Sequence, residues 1–130
     1  MQARHAVELW AKSGLIWLLF GMSFGIYLGI TEQFGLSAPH AHAGLLGGVW
    51  AIGFSWLFSR FDGSKRIGHA LWQWVTYNLG VAAFVVGFWL VMKGNPGVAP
   101  VGIVGAFTIV LSALWIVITL WPGLRARGDG

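Results

Sequence analysis

Cysteine is missing altogether, and with it go disulfides, thiolate metal sites and cysteine nucleophiles. Charge is scarce as well. Asp, Glu, Lys and Arg make up 9% of residues, against about 25% in an ordinary soluble domain. Hydrophobic residues supply 57% of the 130 positions. A soluble chain of this length could not cover its surface with so few charges, so the composition specifies one membrane-embedded domain. The eight Lys and Arg outnumber the four Asp and Glu. They are scattered through loops and ends, which points to membrane topology and away from a nucleic-acid partner. Paired carboxylates, a Ser–His–Asp set and a phosphate loop are all absent, so no catalytic residue is assigned.

What the sequence does have is long apolar runs. A helix needs about 20 apolar residues to cross the hydrocarbon core, and four segments qualify: about Leu9 to Ile30, His40 to Phe61, Ile67 to Met92 and Pro100 to Trp121. The first run is longer than a signal-peptide core and carries no processing site. Polar breaks separate the segments: Gly35 to Pro39, the "RFDGSKR" turn at 60–66 and "KGNPG" at 93–97. No internal repeat stands out. The expected fold is an all-α integral membrane four-helix bundle.

Placing the N-terminus inside puts Arg4, Lys12, Arg60, Lys65, Arg66, Arg125 and Arg127 on the cytoplasmic side and leaves Lys93 outside. That asymmetry predicts cytoplasmic termini, in a bacterial inner membrane, with His40 and His42 near the periplasmic face. Trp10, Trp56, Trp72, Trp89 and Trp121 lie near helix ends, as interfacial anchors do. Gly21, Gly25 and Gly29 repeat every four residues in the first segment, and Gly44 and Gly48 in the second. Such stripes let backbones approach closely, within one bundle or between subunits.

"APHAHAGLLGGVW" (38–50) carries the chemistry. Successive helical residues turn by about 100°, so His40 and His42 project roughly 200° apart and cannot chelate one metal ion from one helix. They suit two sites on opposite sides of the helix. Facing imidazoles across a bundle are suitable axial ligands for a haem iron, and Ala41, Ala43 and Gly44 leave room beside them for a flat macrocycle. The same spacing also fits two interfacial histidines hydrogen-bonded to headgroups, water or Glu32, or another metal. Glu32 is placed to accept a hydrogen bond from either imidazole, or it is a solvated loop carboxylate. His69 begins the third segment, a membrane thickness away, among Lys65 and Arg66, and His5 precedes the first. Neither is a ligand candidate. Thr76, Tyr77 and Asn78 lie deeper and read as polar ties between helices.

"HAHAGLLGG" (40–48) resembles the histidine-x-histidine stretch in the catalytic subunit of haem–copper oxidases. The wider "GIYLGITEQFGLSAPHAHAGLLGGVW" (25–50), with weaker similarity at "YNLG" (77–80), is similar to the small four-helix membrane proteins resembling oxidase subunit I. The resemblance implies b-type haem bound by His40, His42 and the adjacent Gly44, with Glu32, Tyr77 and Asn78 around them. It also implies electron transfer or redox or gas sensing. The oxidase subunit arranges its helices as three arcs of four, so a four-helix chain resembling one arc implies a homo-oligomer, a trimer, with haems between subunits. Copper is not predicted, because the further histidines of the oxidase copper site have no counterpart. The small relatives often carry a histidine where this chain has Tyr77, and the arginine pair that meets haem propionates is also missing. A different class of function fits too: a cofactor-free accessory or structural subunit of a larger membrane complex.

Overall fold

A computed structural model describes residues 3–60 and 69–124. Lys65, Arg66, Arg125 and Arg127, which enter the topology argument, lie outside the described residues, as do Phe61 and Ile67. Helix α1 covers Ala3–Ile30. The second span opens with a 3-10 turn at Phe34–Leu36 and continues as α2 (Ser37–His42), a π-helical segment (Ala43–Val49) and α3 (Trp50–Arg60). Helices α4 (Ala70–Met92) and α5 (Ala99–Leu120) follow. All four spans are long and apolar enough to cross a membrane. The protein is a small integral membrane four-helix bundle.

The first helix starts six residues before the expected Leu9. Its extra turns are held because Ala6 is buried and the Val7 carbonyl accepts a 2.8 Å hydrogen bond from the Ser55 hydroxyl. Pro39 falls in the first turn of α2 and Pro100 in the first turn of α5, where a missing N–H leaves nothing unpaired.

Two helical hairpins make up the bundle. Helix α1 packs along the whole second span, α4 packs along α5, and α4 also meets the second span. Among the described residues α5 has no comparably extensive contact with α1 or the second span. Both hairpins turn in the same way, which the sequence did not suggest. In the first, Gln33 N–H donates to the Leu28 carbonyl and Glu32 N–H to that of Gly29. In the second, Asn95 N–H donates to Leu90 and Gly94 N–H to Val91. Each is a helix stop in which the residue after the cap turns left-handed. Glu32 has φ 55° and Gly94 φ 96°. A 3-10 turn follows in each hairpin, closed by Leu36 N–H on Gln33 and Val98 N–H on Asn95. The two turns meet at one end of the bundle, where the Lys93 ammonium donates to Gln33 Oε1 at 2.7 Å.

The core is aromatic towards the end where α1 begins and α5 finishes. Trp10 is fully buried, with Phe54 at 5.2 Å and Tyr77 at 5.4 Å edge-on and Phe58 at 6.4 Å stacked. This corrects its reading as an interfacial anchor. Ala6, Trp10, Ser13 and Leu28 fall on the inward side of α1, so helical phase carries the indole into the bundle although it lies near a helix end. Trp89 also turns inward, its ring 6.0 Å from Phe24. Trp56, Trp72 and Trp121 are exposed, as anchors are.

Candidate functional site

The two imidazoles lie against different helices. His40 faces α1. Its Nδ1 lies 2.7 Å from the Gly21 carbonyl oxygen, and its ring stands edge-on to Phe24 at 6.3 Å. The ring fills the space over Gly25, where an added Cβ would come within 2.7 Å of His40 Cε1. His42 faces α4, its ring 5.3 Å from Phe84 and 6.0 Å from Phe88. Its Nδ1 lies 2.7 Å from the carbonyl of Ala38, one turn back.

Both contacts fix a tautomer. A carbonyl oxygen only accepts, so Nδ1 carries a proton in each ring, and in the neutral form of either ring the lone pair lies on Nε2. That is the arrangement of a metal-ligating histidine oriented by a backbone carbonyl. The donor chemistry of both rings therefore fits an axial haem ligand, while one chain does not bring both to a single iron. Among the described residues no three His, Cys, Asp or Glu side chains group around a common point.

The remaining candidates fall elsewhere. The Gly44 backbone lies against α1, where an added Cβ on Gly21 would come 3.2 Å from Gly44 Cα, while an added Cβ on Gly44 itself would meet open space. Glu32 is exposed in the left-handed turn position and bonds to neither histidine. The backbone carbonyls of Gly21 and Ala38 take the orienting role expected of it. Tyr77 and Asn78 do not touch the imidazoles. Asn78 Oδ1 accepts a 3.0 Å hydrogen bond from Trp17 Nε1, and the Tyr77 hydroxyl donates to the Leu46 carbonyl at 2.8 Å. With Ser112 donating to Thr76 at 3.0 Å, all three deeper polar residues tie α4 to another helix. His69 is exposed and its ring lies 5.6 Å from Trp115; its proposed neighbours Lys65 and Arg66 are outside the described residues. His5 is exposed.

Several ties were missed from the sequence. Trp74 Nε1 donates to Ser13 Oγ at 3.0 Å, and Gln73 Nε2 donates to Thr119 Oγ1 at 2.7 Å. A signal existed, since a buried indole N–H usually finds an acceptor and Gln73 shares a helical face with Tyr77. Near the histidines, Phe84, Phe88 and Val91 of α4 with Ala99, Ile103 and Ala106 of α5 wall an open apolar cleft of about 230 Å³. Neither histidine lines it.

No family model, curated protein or solved structure matches this chain, and no homology to haem–copper oxidase subunit I was found.

Proposed function

We propose that the chain is a small structural or accessory subunit of a larger membrane complex. The observation that carries this reading is the use made of the polar side chains inside the spans. His40 works as a wedge, seated on Gly25 and tied to the Gly21 carbonyl. Ser13, Trp17, Ser55, Gln73, Trp74, Tyr77 and Asn78 each tie one span to another. These contacts build an apolar body in which most polar side chains inside the spans hold its own helices together. The outward side of α5, with Ile103, Val104, Phe107, Val110, Leu111 and Leu114 exposed, offers a flank to lipid or to other subunits.

A second reading has its own support. Nδ1–H donors on His40 and His42 held by backbone carbonyls, on rings lying on different sides of α2, suit neutral imidazoles as ligands of a b-type haem held between copies by His40 of one chain and His42 of its neighbour. A trimer would close such a ring, with the histidines in the outer half of a bacterial inner membrane. A bound haem would supply one-electron redox chemistry there, and this chain's residues would orient its ligands. One preparation separates the two readings. On the accessory reading, protein purified in mild detergent from haem-replete cells is colourless and co-purifies with other membrane polypeptides. A Soret band that is lost in both His40→Ala and His42→Ala overturns that reading in favour of haem.

A further inference from the structure

The second span changes its hydrogen bonding just after the histidine pair. From Ala43 to Val49 it is a π-helix, and the Trp50 N–H reaches back five residues to the Leu45 carbonyl. In an α-helix that N–H would serve Leu46. A π-turn holds more residues than an α-turn, so a seven-residue stretch stores about one residue beyond α-helical pitch. Without that stored residue, α2 and its histidines would be turned by about 100° relative to α3. The glycines at 44, 47 and 48 weaken α-helical preference in this stretch.

The Leu46 carbonyl is the acceptor that receives the Tyr77 hydroxyl, at 2.8 Å. Tyr77 is 1% exposed, and Trp10 and Phe54 grip its ring edge-on at 5.4 Å each. Its hydroxyl therefore has a fixed aim. Backbone carbonyls need a partner in hydrocarbon, and this phenol supplies one where the helix bonding has shifted. We propose that Tyr77 holds the π-segment in place and thereby sets the directions in which His40 and His42 face. Tyr77 is thus a positioning residue for the histidine pair, whatever the imidazoles bind. When the hydroxyl is removed, the segment returns to α-helical bonding. Helix α3 stays anchored through the buried Ala51, Phe54 and Ser55, so the rotation falls on α2. His40 then leaves the Gly21 carbonyl.

The test reads the His40 Nδ1 proton by NMR, with ¹⁵N-labelled histidine and the full chain in lipid nanodiscs. The parent protein shows a slowly exchanging, hydrogen-bonded Nδ1–H. Tyr77→Phe is expected to lose that signal while keeping its helix content by circular dichroism. Deleting Leu45, half exposed on the outside of the segment, removes the stored residue. In the Tyr77→Phe background this deletion is expected to restore the signal, and in the parent to leave it unchanged. A signal that survives Tyr77→Phe overturns the proposal, and so does a loss that the deletion fails to restore. Should Tyr77→Phe not fold, the single deletion decides, because loss of the signal there is the overturning result. The readout needs no bound group, so its failure is distinct from failure of either functional reading.

Discussion

The hairpin of α1 with the histidine-bearing span and the hairpin of α4 with α5 share a turn, yet their helices meet by different means. In the second hairpin backbone meets backbone: an added Cβ on Gly87 would lie 2.5 Å from Gly102 N, and one on Gly105 would strike Phe84 N and the Gly80 carbonyl. In the first, side chains fill the glycine notches. The imidazole of His40 sits on Gly25, the indole of Trp17 on Gly47 and Leu18 on Gly48. The backbones of that hairpin approach less tightly: an added Cβ would lie 3.2 Å from Gly44 Cα at Gly21 and 3.1 Å from the Gly48 carbonyl oxygen at Gly14. Close glycine contact between membrane helices gains van der Waals packing and leaves little room for adjustment. A notch filled by a side chain can be refilled by another rotamer. The histidine hairpin is therefore the adaptable half of the molecule and α4 with α5 the rigid half.

Breaking the rigid half has the largest expected effect. Gly87→Ala should cost about 1–3 kcal/mol, because neither Gly102 nor its chain neighbours can swing aside. Gly25→Ala should cost less than about 1 kcal/mol, because the imidazole over it can shift. Reversible unfolding in mixed detergent micelles measures both, and equal costs would erase the distinction between the hairpins. A double-mutant cycle sharpens it further. In the His40→Ala background the added methyl at position 25 has free space, so Gly25→Ala should become neutral or stabilising. Purely additive costs would show that the ring is not what fills the notch. The smallest effect belongs to the contact joining the two turns. Lys93→Ala removes an exposed hydrogen bond to Gln33 and should change stability by less than about 0.5 kcal/mol.

The spans were legible because membrane insertion demands long apolar runs, and nothing else in this chain competes with that signal. The opposed facing of His40 and His42 was legible too, since it follows from the turn per residue of a helix. Other features were hidden for identifiable reasons. Trp10 near a helix end has the same sequence signature whether it faces headgroups or the core, and only helical phase against α3 and α4 decides. "AGLLGGV" reads as a packing stripe, and nothing in it marks the stored residue of a π-turn. The repeated turn is hard to see because "TEQFGL" and "KGNPGV" share only a carboxamide residue, Gln33 and Asn95, a glycine, Gly35 and Gly97, and an aliphatic residue after it. Backbone hydrogen bonds carry that likeness, and they leave little trace in side chains. Glu32 shows the reverse problem. Its carboxylate drew it towards the histidines, whereas its backbone occupies the left-handed position that Gly94 fills in the other turn, at a cost of roughly 1–2 kcal/mol for a residue with a Cβ.

The dependence of α5 on α4 bears on how the molecule is made. The histidines, the π-segment, the buried indole of Trp10 and the Tyr77 hydroxyl all belong to the first three spans, and these are synthesised before α5 leaves the ribosome. Each partner that fixes the imidazoles is then already in the bilayer. Helix α5 then meets α4 at Gly80 and Gly87. The histidine end is thus complete within the first three spans, and α5 adds the glycine seam to it.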